Sequence, residues 1–124
     1  MNFEHTKKTK ELIGLVSNFI DQKIRPREAE YVQSMNSFRE SGNPWQVPEV
    51  LYELKRDARA EGLWNFSLTG NEGYGLTNLE FAPLAEMMGV GWTSEVFNSS
   101  APDAGNMEVL DKYGSDYQKE KWLK

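Results

Sequence analysis

At 124 residues, 39% of them apolar and 27% charged, the chain has the composition of one globular domain with a modest core, and is too apolar to be disordered. Its formal net charge of -5 speaks against a nucleic-acid binder, and the absence of cysteine excludes disulfides, thiolate metal sites and cysteine nucleophiles. No apolar run approaches the ~18 residues of a membrane span and the N-terminal MNFEHTKKTKEL has no apolar signal core, so a soluble intracellular protein is expected, in cytoplasm, mitochondrion or peroxisome alike.

A first helix is predicted over residues 6–24. Leu12, Leu15, Val16, Phe19 and Ile20 recur at the spacing of one apolar stripe, which Ile24 extends. Pro26 lacks an N–H and suits a first turn, so it interrupts or restarts the helix. A more polar piece over 27–38 would turn Tyr31, Val32 and Met35 inward. His5 reads as ordinary surface, and the clusters Lys7, Lys8, Lys10 and Lys119, Lys121, Lys124 read as solvated helix faces.

Ser41, Gly42, Asn43 and Pro44 break the chain. Pro48 then opens a helix through Glu61, which Gly62 closes. Val50, Leu51, Leu54 and Ala58 form its buried stripe, and Glu53, Lys55, Arg56, Asp57 and Arg59 its wet face. Trp45 is expected to pack as a lid on the start of this helix. Leu63, Trp64, Phe66 and Leu68 lie in an extended segment too isolated to make a sheet. Gly70, Gly73 and Gly75 mark a plain flexible turn. Their spacing matches neither the dinucleotide fingerprint nor the P-loop, and no Lys follows the last of them.

Thr77 and Glu80 form a capping box, with Leu76 and Phe81 placed as its hydrophobic staple. Pro83 must cost this helix one internal hydrogen bond, which allows a later start at Ala82. Leu84, Met87 and Met88 make the inner face, the methionines as adaptable filler, and residues 89–91 end it. A further helical stretch is predicted over 94–113. It overlaps VFNSSAPDAGNMEVLDKYG (96–114), which is small and polar at its start and then apolar at helical spacing through Met107, Leu110 and Tyr113. Small residues let a ligand or a second layer of protein approach closely.

Ser115 and Gln118 repeat the capping box for a last helix carrying Trp122 and Leu123. That helix has no Gly, Asn or Pro to end it and is marginal by itself, so the chain reads as cut there. The fold expected is all-α, a compact bundle of five or six helices forming a single domain over 1–124.

Catalytic chemistry is not legible in these residues. His5 is the only histidine, so neither a histidine base nor a serine–histidine pair can be assembled. No EF-hand loop and no Glu-x-x-His motif occurs, and Glu95, Asp103 and Glu108 read as solvated or salt-bridged. The residues supply a helical scaffold without a complete catalytic constellation or a metal set.

Three segments carry a family resemblance: REAEYVQSMNSFRESGNPWQVPEVLYELKRDARAEGLWN (27–65), GLTNLEFAPLAEMMG (75–89) and EVFNSSAPDAGNMEVLDKYGSDYQKEKWLK (95–124). Together they resemble the N-terminal helical domain of the acyl-CoA dehydrogenase family, on its long-chain, multi-domain branch. Asn106-Met107-Glu108 followed by Lys112-Tyr113-Gly114 and Gln118-Lys119 is the most specific combination.

The resemblance implies an FAD-dependent α,β-dehydrogenation of acyl-CoA thioesters. In that family a glutamate takes the α-proton, the flavin accepts the β-hydride, and electron-transferring flavoprotein reoxidises the flavin. The protein positions a cofactor that carries the hard chemistry. The family's base lies in a C-terminal helical domain and most flavin contacts in a middle β-domain and that C-terminal domain, neither present in these 124 residues. The chain by itself is therefore expected to hold no FAD and to turn over no acyl-CoA.

The same resemblance assigns Phe97, Ala101 and Ala104 to part of the acyl-pocket wall, with Phe97 equally readable as core. It assigns no catalytic, cofactor-binding or metal residue. TGNEGY (69–74) is looser than the family's segment, Met87 and Val90 replace more polar residues, and Ser99 stands where Cys is frequent; these departures bear on substrate specificity. The alternative is a non-catalytic, truncated homologue acting as a helical protein-interaction module, self-associating through the face the full enzyme would cover.

Overall fold

The computed structural model describes residues 4–70 and 73–123. Helix α1 (Lys7–Phe19) starts at Thr6, whose hydroxyl accepts the Thr9 N–H at 3.1 Å. Leu12, Val16 and Phe19 are buried along it. The helix then widens into a π turn, Ile20–Ile24, where the Arg25 N–H reaches back five residues to the Ile20 carbonyl. In an unbroken α-helix Ile24 would stand about 120° round from Leu12. The wider turn resets the register, and Ile20 and Ile24 both enter the core. Leu15, expected in the stripe, is exposed instead: it lies on the edge of the stripe farthest from Ile20 and Ile24.

Pro26 sits in a 3-10 turn, Arg25–Arg27, and α2 (Glu28–Glu40) restarts from it. Helix α2 buries no residue completely. Tyr31 holds it to the core by stacking on Trp92, rings parallel at 4.1 Å. Arg27 binds Glu30 at 2.8 Å and Glu53 at 2.6 Å, and those bonds raise its pKa, the Glu30 bond most. Val32, predicted inward with Tyr31 and Met35, is exposed, while the other two are half-buried. Trp45 is no lid. It is 89% exposed.

Helix α3 (Glu49–Ala60) buries Val50, Leu51, Leu54 and Ala58 as its spacing predicts. Gly62, at φ +75°, ends it: the Leu63 N–H bonds to the Ala58 carbonyl at 2.8 Å and the Gly62 N–H to the Arg59 carbonyl at 3.1 Å. This paired bonding satisfies carbonyls that the helix end would otherwise orphan. Residues 63–68 follow as irregular chain with Leu63, Phe66 and Leu68 buried, and no strand forms among the described residues. The glycine turn is more tightly packed than predicted at its described ends. A Cβ on Gly73 would collide with the Leu68 backbone, and one on Gly70 with the Asp111 carboxylate.

Helix α4 (Asn78–Met88) has the predicted capping box and begins at that box, not at the later start at Ala82, so Pro83 lies inside it. The Thr77 N–H donates to Glu80 at 3.0 Å, and the Thr6 hydroxyl reaches the same carboxylate at 3.1 Å, joining the starts of α1 and α4. Leu84 and Met88 are buried; Leu76 is buried, and Phe81 packs partly against the core.

Residues 94–113 do not form one helix. They divide into a single turn α5 (Thr93–Val96), a loop over 97–102, and α6 (Asp103–Tyr113). Asn98 adopts a left-handed φ of 52° and Pro102 brings no N–H, so the hydrogen-bond ladder stops between them. Helix α7 (Asp116–Trp122) has the predicted Ser115–Gln118 capping box. Among the described residues, six helices of seven residues or more, with the short α5, thus make an all-α fold around one core. Leu12, Val16, Phe19, Leu54, Phe66, Leu84 and Phe97 lie at its centre. No helix among the described residues is long and apolar enough to cross a membrane.

Candidate functional site

The loop over 97–102 is anchored from behind and open in front. Phe97 forms its root, with no exposed surface and edge-on contacts to Phe19 at 5.5 Å and Phe66 at 6.1 Å. The Phe97 carbonyl accepts the Asn65 N–H at 3.2 Å and the Ser99 hydroxyl at 3.2 Å. Beside it the two asparagine side chains meet in the interior, where the Asn98 Nδ2 donates to the Asn65 Oδ1 at 2.7 Å. Asn65 in turn donates from Nδ2 to the Leu123 carbonyl at 3.2 Å. Both asparagines are buried and both have positive φ, a conformation that Asn tolerates better than most residues.

This relay ties three distant parts of the chain, the 63–68 segment, the 97–102 loop and the end of α7. Burial gives it weight, because a buried amide left unpaired costs about 1–3 kcal/mol. The loop in front of it has little side-chain bulk. Ala101, Pro102, Gly105 and Asn106 are exposed, and Ala104 is half-buried at the start of α6. The Ala104 N–H bonds to the Ser100 carbonyl at 2.9 Å and the Asn106 N–H to the Pro102 carbonyl at 3.0 Å, so α6 grows directly out of the loop.

The three residues assigned to an acyl wall therefore occupy three depths. Phe97 belongs to the core, Ala101 lies at the surface and Ala104 stands between. Met107 and Leu110 of α6 are half-buried, and Tyr113 is exposed. Of the acidic residues noted in the sequence, Asp103 lies 3.9 Å from Lys55 of α3. Asn65 was not singled out by its sequence context. Its role depends on partners 33 and 58 residues away, which no local pattern encodes.

Grooves of about 560 Å³ between the π turn and the α4–α5 junction, and about 870 Å³ along α2, are lined by none of residues 97–106. The 97–106 face presents small side chains, with Ala101, Pro102 and Gly105 exposed. Among the described residues no group of three or more His, Cys, Asp or Glu is placed to hold a metal ion. Shifted pKa values mark structural contacts: burial raises those of Tyr31 and Tyr74, and the carboxylate of Glu80 is lowered by its bonds to Thr77.

Comparison with known proteins agrees with this architecture. The family model for the acyl-CoA dehydrogenase N-terminal domain matches residues 6–124. Acyl-CoA dehydrogenase family member 10 of Mus musculus is 46% identical over 85% of this chain and 10% of its own length. Acyl-CoA dehydrogenase family member 11 of Homo sapiens is 42% identical over 98% of this chain and 15% of its own length. A solved Mycobacterium abscessus chain assigned as an acyl-CoA dehydrogenase superposes with a TM-score of 0.81 at 43% identity, over 97% of this chain and 31% of that one. The chain thus spans a small part of each relative's length. It belongs to the acyl-CoA dehydrogenase family and has the fold of that family's N-terminal domain.

Proposed function

We propose that the 97–106 face supplies part of the acyl-pocket wall of an FAD-dependent acyl-CoA dehydrogenase, with Ala101 and Ala104 toward the acyl chain and Phe97 as the rigid backing behind them. The observation that supports this most is the contrast in the loop, clamped by buried asparagines on one side and lined by small exposed residues on the other. A wall must hold its position while leaving room, and this arrangement meets both demands. The family supplies the remaining elements of the reading: acyl-CoA thioester substrates, FAD, α,β-dehydrogenation and electron-transferring flavoprotein as electron acceptor. The 124 residues alone are read as inactive, because the catalytic base and flavin-binding regions of the family lie elsewhere.

Two measurements test this. The purified chain should lack a stoichiometric flavin absorption band, and it should not dehydrogenate acyl-CoA supplied with FAD. Fused to the remaining domains of the Mycobacterium abscessus relative, Ala101→Leu and Ala104→Leu should lower kcat/KM for long acyl chains more than for short ones. Equal losses at every chain length would remove both residues from the wall.

A second reading is favoured by one specific observation. Val109 and Tyr113 of α6, with Tyr117 and Trp122 of α7, leave exposed apolar surface on adjoining helices. Such surface fits a helical interaction module that pairs with a second copy or another protein. Light scattering across a concentration series tests self-association, and a mass fixed at the monomer value would count against it.

A further inference from the structure

The charges of α3 are segregated. Two of its carboxylates face the π turn and the 3-10 turn: Glu53 takes Arg27 at 2.6 Å, and Asp57 takes Lys23 at 3.2 Å, which also binds Glu61 just past the helix end at 2.7 Å. Its cations lie elsewhere. Lys55, Arg56 and Arg59, with Ala60 and Trp64, line a groove of about 430 Å³. Among the described residues, neither Arg56 nor Arg59 has a carboxylate within 4.0 Å, and Lys55 has only Asp103 at 3.9 Å. The Arg59 guanidinium lies over the Trp64 indole, 5.9 Å from its centre. Three cations with so little compensation stand out on a chain of net charge -5.

We propose that this groove binds a nucleoside phosphate, its flat base against Trp64 and Arg59 and its phosphates among Lys55, Arg56 and Arg59. Guanidinium forks match phosphate oxygens in pairs, and a base stacks on indole or guanidinium regardless of its identity. Ala60, the indole and the methylene stems of the three cations provide an apolar floor beneath a charged rim. The volume suits a small molecule, whose clefts span roughly 300–1,000 Å³. A phosphate would draw Lys55 from Asp103, whose carboxylate would oppose it. A polynucleotide would need a longer basic track than three side chains on one helix. The proposal does not rest on the acyl-wall reading.

The test is an NMR titration of the whole chain, following the Trp64 indole N–H as ADP is added, with adenosine, pyrophosphate and sulfate at matched ionic strength. ADP should shift the indole saturably and bind more tightly than any of the other three. Arg56→Gln combined with Arg59→Gln should weaken ADP by about tenfold or more through loss of charge-assisted hydrogen bonds, with an unchanged thermal midpoint. Lys121→Gln, at a different aromatic–cation cluster, should leave binding unaltered. ADP binding no tighter than sulfate, or full affinity in the double variant, would overturn the site. Pyrophosphate binding as tightly as ADP would overturn the nucleoside assignment.

Discussion

Asn65 combines two demands that few side chains meet together. Its backbone is left-handed at φ 57°, and its amide bridges Asn98 and the Leu123 carbonyl while only 1% exposed. Asn65→Ala should destabilise the fold by about 2–4 kcal/mol, from orphaned polar groups and a disfavoured backbone conformation. Asn65→Gly relieves the backbone but not the lost bonds, and should recover about 1 kcal/mol of that. Urea denaturation of both variants checks the difference; equal stabilities would mean the backbone conformation contributes nothing. Phe97→Ala, which opens a cavity between Phe19 and Phe66, should lose about 3–5 kcal/mol in the same assay. That cost would identify Phe97 as core whichever function the surface in front of it performs.

At the scale of elements, the most informative device is the start of α4. The Thr77 side chain caps the Glu80 N–H, and the Glu80 carboxylate accepts from the Thr77 backbone and from the Thr6 hydroxyl. Thr77→Ala should cost about 1 kcal/mol, the usual worth of an N-cap. The carboxylate adds a pH dependence. Glu80's pKa is lowered from 4.5 by the backbone bond to Thr77 first and the hydroxyl bond second. A carboxylate with a depressed folded pKa stabilises the fold above its ordinary value, and this contribution is lost as pH falls through the lower, folded one. The thermal midpoint difference between the wild type and Glu80→Gln should therefore be full at neutral pH and shrink on acidification below about pH 4.5. A difference that never shrinks on acidification, as far as the fold persists, would show that the ionised carboxylate contributes nothing to the cap.

Across the whole molecule, stability should be uneven. The residues α1, α3 and α4 bury form one continuous core, whereas α6 buries none of its residues. Helices α6 and α7 are tied back through the Asn65–Leu123 bond, the Lys55–Asp103 contact and the close approach of Asp111 to Gly70. Few apolar contacts and exposed backbone mean low local opening energies. Hydrogen exchange should therefore release the amides of α6 and α7 well before those of α1, α3 and α4. Uniform exchange across all these helices would contradict that hierarchy. In Asn65→Ala, α7 should exchange faster still.

How much of this was legible in the sequence follows from the range over which each feature is specified. The capping boxes at Thr77 and Ser115, the buried stripe of α3 and its stop at Gly62 each depend on residues within a turn or two of one another, and all of them stand as read. The family, too, was legible, because its motifs are runs of adjacent residues. Leu15, Val32 and Trp45 were misread, since apolarity states a preference for burial but not which neighbour arrives to provide it.

The π turn, the break of 94–113 into α5 and α6, and the three depths of Phe97, Ala101 and Ala104 appear only in three dimensions. So does the relay from Asn98 through Asn65 to Leu123. By itself the sequence determined α3, α4 and α7, the two capping boxes and the family, because these rest on local hydrogen bonding, periodicity and runs of adjacent residues. Tertiary structure alone decided which surface stays open at the 97–106 loop and on the basic side of α3. Both surfaces depend on long-range contacts: buried amides paired across the chain at the loop, and carboxylates drawn to the cations of another element at α3.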